Sequence, residues 1–436
     1  MTLLVISPDF ASHYTPLATI ARAAREHGER VIVATGPTMR GRVETDQFEW
    51  RELRLGEESN TGTVRRTPAI DRFLAATQRG PIATLTLQAA DRADDLLWRP
   101  EEVIRNVAAL CDRIEPDQVL VDHVSFGSTL AMRATGRPFV SIVPGHPTQL
   151  PVGDERYGIP PVWPACLPPS NDDLAKLEQL VDRVAERFTA RWNRALQAVK
   201  PGSPPVDDAF RVHGDRVLYN SIRRLSDPVR LDCLPAAHRF VGPLVRSEAF
   251  PSAFEQWTHG DADRVYVAFG TFLAHRSDVV VRVVDALRRI GARAAVAIGS
   301  TDPALLGEIP ADWIVRPTLP QVAMLGHADL AIHHGGNNSV QESLAAGVRQ
   351  LVMPFSTDQF ANAADLERRG GAMVAPPNDA DASELAEIIS ASLARPAPTR
   401  VVALHSAALA GALRHAGSDP TCQVDWPANW AWYKPA

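Results

Sequence analysis

Two short runs hold side chains whose types and spacing could do chemistry. The first is Ser12-His13-Tyr14-Thr15-Pro16-Leu17, which follows the apolar stretch Leu3-Leu4-Val5-Ile6 and a loop carrying Asp9. An imidazole titrates near neutral pH and acts as a general base when its second ring nitrogen is held. Asp122 ends another apolar run, Gln118–Val121, and in an open parallel sheet both residues would reach the same rim. Asp122 would then hold the ring of His13. The competing reading is a solvated histidine beside a helix start. The second run is His333-His334-Gly335-Gly336-Asn337-Asn338-Ser339. Glycines let backbone approach a ligand closely, and a helix N-terminus favours an anion such as a diphosphate. His334 would add a donor and a positive charge. Ser339 and Glu342 also have the spacing of a capping box, a purely structural use. Asp358-Gln359 follows the next apolar run on the same rim.

The elements that position these residues alternate. Leu3–Ser7 reads as a strand. A helix is expected from Thr15, with Pro16 at its first position and Gly28 past its end, and Val31–Ala34 as the next strand. Further strands are expected at Gln118–Val121 and Phe139–Val143, with a helix over Ser125–Thr135 between them. A second alternating stretch begins at Arg264–Phe269 and continues through Asp278–Ile290, Ala294–Ile298, Leu330–His333, a helix from Ser339, Gln350–Met353, Asn362–Arg369 and Ser383–Leu393. The fold class is α/β, with two Rossmann-like domains facing each other across a cleft. The expected division is 1–240 for the first domain, including a linker from about 201, and 241–417 for the second. The tail 418–436, with Trp426, Trp430, Trp432 and Tyr433, is expected to return to the first domain. Glu57–Arg79 and Pro144–Pro169, the latter with eight prolines in 26 residues, read as irregular loops over the first domain.

Composition narrows the partners. With 436 residues, 45% hydrophobic and 22% charged, the chain can bury two or three cores. A net charge of −6 leaves no basic surplus for nucleic acid or anionic lipid. Cys111, Cys166, Cys233 and Cys422 lack metal-site or disulfide-frame spacing, so no metal is expected. No apolar run is long enough to span a membrane and none reads as a leader, so the expected location is the cytoplasm, as a monomer or homodimer. The absence of G-x-G-x-x-G after the first strand argues against a hydride-transfer enzyme.

The run Leu319-Pro320-Gln321, then His334-Gly335-Gly336-Asn337-Asn338-Ser339 with Glu342, Pro354 and Asp358-Gln359-x-x-Asn362, resembles the donor signature of inverting, nucleotide-sugar-dependent glycosyltransferases of the UGT-like GT-B family. The bacterial branch that decorates antibiotics and other natural products is nearest. Ser12-His13-x-x-Pro16-Leu17 resembles that family's G-H-x-x-P-L, Val241-Gly242-Pro243-Leu244 its entry to the donor domain, and Ala268-Phe269-Gly270-Thr271 its first phosphate loop. The chain departs from the pattern at Ser12, at Thr318 where an aromatic often stacks on the base, and at Asn337 where the plant version has Trp. The resemblance implies transfer of a sugar from a dTDP- or UDP-linked donor to a hydroxyl of a hydrophobic natural product, with no cofactor beyond that co-substrate and no metal. It implies His13 as base and Asp122 as its partner. Thr271, His334, Asn338 and Ser339 would contact the diphosphate, Glu342 the ribose hydroxyls, and Asp358 and Gln359 the sugar hydroxyls. Leu319, Gln321, Gly336 and Asn337 would also line the donor site. Ser12, His146, Tyr157 and Trp163 would meet the acceptor. Other readings are a non-catalytic nucleotide-sugar-binding or assembly protein of the same fold, and a nucleotide-sugar epimerase.

Overall fold

The computed structural model describes residues 1–56, 67–273 and 275–414. The first sheet comprises β1 (Thr2–Ile6), β2 (Arg30–Thr35), β3 (Glu49–Glu52), β4 (Gln118–Asp122), β5 (Val140–Val143), β6 (Arg216–Tyr219) and β7 (His238–Phe240), in the order β3-β2-β1-β4-β5-β6-β7. Every pairing is parallel. β1 is an unbroken apolar run because both of its faces are covered. Leu3 and Val5 pack into one layer with the helix Ala11–Glu26, while Leu4 and Ile6 pack into the other with the helices Pro100–Ile114, Phe126–Thr135 and Asn171–Val199.

The second sheet comprises β8 (Arg264–Ala268), β9 (Arg293–Ala297), β10 (Ile314–Arg316), β11 (Leu330–His333), β12 (Arg349–Val352) and β13 (Ala372–Val374), ordered β10-β9-β8-β11-β12-β13 and again parallel. Its two faces are covered on the same principle. Val265 and Val267 meet the helices Ser277–Arg289 and Ala382–Ala394, and Tyr266 and Ala268 meet the helix Gln321–Leu325. Strand order reverses once in each sheet, between β1 and β4 and between β8 and β11. In open α/β sheets ligands bind outside the strand ends at such a reversal.

Several expectations need correction. The first helix begins at Ala11, not Thr15, so Pro16 lies inside it. The stretch taken as a linker from residue 201 contains β6 and β7, which extend the first sheet. Of the loop expected at 57–79, residues 57–66 lie outside the described residues, and Pro68–Arg79 is a helix whose cap Thr67 accepts from the Ile70 amide at 3.3 Å. The return to the first sheet is made by the helix Ser406–Arg414, whose Leu409, Ala412 and Leu413 pack with Tyr14, Leu17 and Ile20. The tail 418–436 lies outside the described residues.

Candidate active site

His13 sits in the first turn of the helix after β1, and Asp122 ends β4. The two strands are neighbours, so the reversal of the first sheet brings the side chains together. His13 Nδ1 lies 2.9 Å from Asp122 Oδ2, and Asp122 is fully buried. The Val124 amide donates to the other carboxylate oxygen at 3.0 Å, fixing its plane. A quarter of the His13 side chain (24%) remains exposed. Burial works against charge on that ring, yet the Asp122 carboxylate, its hydrogen bond and the more distant Asp358 outweigh it, so the pKa is raised. Asp9, the other acid of this loop, is turned away. Its carboxylate accepts from the Met39 amide at 3.0 Å.

Pro16 has a consequence inside its helix. It has no N–H to give the carbonyl four residues back, that of Ser12. Asn338 of the second sheet's loop donates to that carbonyl instead, with Nδ2 at 2.8 Å. The glycine-rich turn therefore touches the residue beside His13. Asn337 Nδ2 makes further bridges, to the carbonyls of Pro144 at 2.8 Å and Asn220 at 2.6 Å. Its side-chain amide is thus occupied by the first sheet's loops, away from a diphosphate.

The turn itself is built around His334. Its ring lies between Gly270 and Gly336, and a Cβ at Gly270 would come within 2.7 Å of His334 Cε1. Gly335 has φ +85°, and a side chain there would also press on Val352. Burial and the adjacent His333, opposed by the Ala268 backbone, push the His334 pKa down to about 3. The ring is therefore neutral at pH 7, not the positive charge expected from sequence. Its Nδ1 is buried with no partner among the described residues. His333 is a core histidine, accepting from the Gly335 amide at 3.0 Å and lying 2.9 Å from Gln350 Oε1.

The helix after the turn spans Asn337–Ala346 with Gly336 as its cap. Ser339 is consequently inside the first turn, and the Ser339–Glu342 capping box does not form. Glu342, 2% exposed, is instead held by side chains outside its own helix. Arg246 Nη1 donates to one of its oxygens at 2.9 Å and Gln321 Nε2 to the other. Gln321 Nε2 also reaches Ser339 Oγ at 3.3 Å. Burial raises the Glu342 pKa, against the pull of Arg246 and Gln321. Leu319 packs in the apolar layer around Trp257 and Met324. Thr271 lies in the short helix Gly270–Leu273, and its side chain falls outside the described residues.

Asp358 Oδ2 accepts from the His146 amide at 2.8 Å, again across the two halves. Gln359 is used locally, its Oε1 accepting from the amides of Phe355 (3.0 Å) and Ser356 (3.1 Å), so it braces the turn that presents Asp358. The loop residues assigned to the acceptor are partly diverted to packing. His146 Nε2 lies 3.0 Å from Asp365 Oδ2, Tyr157 stacks on Phe210 at 4.3 Å, and Trp163 packs on Phe360. Arg246, Asn220 and Arg92 were missed, since nothing in their local sequence marks contacts made across tens to hundreds of residues. Asp381, half of a D-x-D pair, caps the helix Ala382–Ala394 through the Ser383 and Glu384 amides. Among the described residues no three His, Cys, Asp or Glu side chains gather as a metal site. Nor is any helix among them long and apolar enough to cross a membrane.

Residues 217–396 match the family model described as UDP-glucoronosyl and UDP-glucosyl transferase. A 209-residue stretch is 29% identical to the uncharacterized UDP-glucosyltransferase YdhE of Bacillus subtilis, covering 48% of this chain and about half (49%) of that protein. The 4'-demethylrebeccamycin synthase of Lentzea aerocolonigenes is 26% identical over 82% of this chain and 83% of its own length. Among solved structures, the spinosyn rhamnosyltransferase SpnG complexed with thymidine diphosphate superposes with a TM-score of 0.63 at 18% identity, over 95% of each chain. The alternating architecture, the ordered motifs and these likenesses agree: the chain has the two-domain fold of GT-B glycosyltransferases, and its second half, residues 217–396, carries the match to the UDP-glucoronosyl and UDP-glucosyl transferase model.

Proposed function

We propose that the protein transfers a sugar from a dTDP- or UDP-linked donor to a hydroxyl of a hydrophobic natural product, with inversion at the anomeric carbon. The observation that carries the proposal is the juxtaposition of the Asp122-held His13 with the Gly335-Gly336-Asn337-Asn338 turn, joined by the Asn338–Ser12 hydrogen bond. In this reading His13 Nε2 takes the acceptor's hydroxyl proton, while Nδ1–H stays on Asp122. The acceptor oxygen forms a bond to the anomeric carbon as the bond to the β-phosphate oxygen breaks. The electron pair leaves with the nucleoside diphosphate, whose charge is met by the amides of the 337–346 helix and by the neutral His334 ring. Glu342 and Gln321 would take the ribose hydroxyls, and Asp358 a sugar hydroxyl.

Relatives support both nucleotides, since one is named for UDP-glucose chemistry and one structure holds thymidine diphosphate. The acceptor class is supported by the rebeccamycin and spinosyn enzymes. No metal is required in this scheme, because the leaving group's charge has protein donors. A binding protein of the same fold would have no use for a buried aspartate orienting a half-open histidine. The test is product formation by mass spectrometry from UDP-glucose and dTDP-glucose with a panel of phenolic and macrolide alcohols. Glycosylated product from at least one pair is expected. Nucleotide binding without transfer to any alcohol would favour the non-catalytic reading.

A further inference from the structure

Arg92, half-buried, stands apart from the buried arginines. Arg230 is paired with Glu155 at 2.8 Å and Arg276 with Asp278 at 2.7 Å. Arg92, on the helix Pro81–Asp95, has no acid partner among the described residues. Its guanidinium lies over the Tyr157 ring, 4.8 Å from the centroid, and Nη1 donates to the Tyr157 carbonyl at 3.0 Å. The next residue, Gly158, has φ +85° and lies against the guanidinium, which a Cβ there would displace. Burial pushes its pKa down, with only the Tyr157 phenol in opposition. Among the described residues this guanidinium makes one hydrogen bond, through Nη1, and the Nε–Nη2 edge, which can meet both oxygens of a carboxylate, has no partner there.

The seat lies one helical turn from a contact between the two halves. Gln88, one helical turn earlier on the same face, accepts from the Thr357 amide at 3.2 Å, next to Asp358. Tyr157 feels the charges of both Asp122 and Asp358. We propose that Arg92 is the anion-recognition residue of the acceptor site and that the natural acceptor carries a carboxylate as well as the hydroxyl that is glycosylated. A half-buried cation without an acid partner among the described residues is partly stripped of water, and a bound carboxylate would supply the missing charge. The inference rests on the glycosyltransferase reading and adds a chemical class to its acceptor.

The test is calorimetric titration of 4-hydroxybenzoate and of its methyl ester, at pH 7.5 with saturating UDP or dTDP, into the wild type, Arg92→Met and Arg92→Lys. The wild type is expected to bind the acid at least tenfold more tightly than the ester. Arg92→Met should bind the two alike, and Arg92→Lys should keep part of the preference. Equal affinity for acid and ester in the wild type, no binding of either, or a preference that survives in Arg92→Met overturns the proposal. The wild-type comparison stands even if a variant fails to fold. Nucleotide titrations on the same samples separate the two levels. Normal UDP or dTDP binding with no acid preference refutes the role of Arg92 alone, whereas loss of all nucleotide binding refutes the reading beneath it.

Discussion

At the residue scale the account depends on one hydrogen bond. With Asp122 in place the His13 pKa is raised, so the free base that accepts the proton accumulates as pH climbs through that value. The transfer rate should rise with pH over the same interval. Asp122→Asn removes the charge that offsets burial, so the apparent pKa should fall below its wild-type position, readable from the pH–rate profile and from imidazole NMR shifts. An unshifted profile would mean that another group titrates. His13→Ala should cost about 10²–10⁴ in turnover, the usual contribution of a positioned base. Its affinity for UDP or dTDP should stay within a few fold, as measured by titration, because nothing on the donor loop depends on the imidazole.

At the scale of elements the ion pair of Arg246 with Glu342 ties the segment after β7 to the helix Asn337–Ala346. Arg246→Met leaves a buried carboxylate with only Gln321. Removing one partner of a buried pair typically costs 3–5 kcal/mol. A loss of about 3 kcal/mol is expected here, because 24% of the Arg246 side chain is exposed. Urea denaturation should show it, and Glu342→Gln in the same chain should recover most of it. No loss in Arg246→Met would show that water already screens the pair. This coupling also marks the limit of what sequence carries. The strands around both sites were legible because their both-sided burial writes continuous apolar runs, and Gly335-Gly336 announced the turn. The start of the first helix was misplaced because Pro16 looks like a first-turn proline, while the Ser12 carbonyl it cannot serve is taken by an asparagine more than three hundred residues away. Gln359 and Asn337 were read as ligand contacts because their types suit one. Only the folded chain shows their amides already bonded to nearby backbone.

At the scale of the whole molecule, four enclosed histidines set a pH limit on stability. Burial is the leading cause in each, pushing His123 and His333 down to about 4 and His238 and His334 to about 3. The unfolded chain takes up protons at these positions near pH 6.5 while the folded chain does not, so stability falls as pH drops below about 6.5 and continues falling toward 4. Each contributes a slope approaching about 1.4 kcal/mol per pH unit in that window. His13 acts in the opposite sense, since its raised pKa stabilises the fold at low pH and that contribution fades as pH rises through it. Four against one predicts net acid lability, checked by urea melts between pH 4 and 8. A midpoint flat across that range would contradict the burial of these rings.

The two halves meet through hydrogen bonds donated by Asn337 and Asn338 and one accepted by Asp358, and the claim on which all else rests is that a nucleoside diphosphate lies at that meeting. Calorimetric titration of UDP and dTDP into the wild type, His334→Ala and His13→Ala tests it most directly. The account predicts binding of one or both at a single site, weakened at least tenfold in His334→Ala and unchanged within a few fold in His13→Ala. Heat from neither nucleotide, or equal affinity in wild type and His334→Ala, would contradict it.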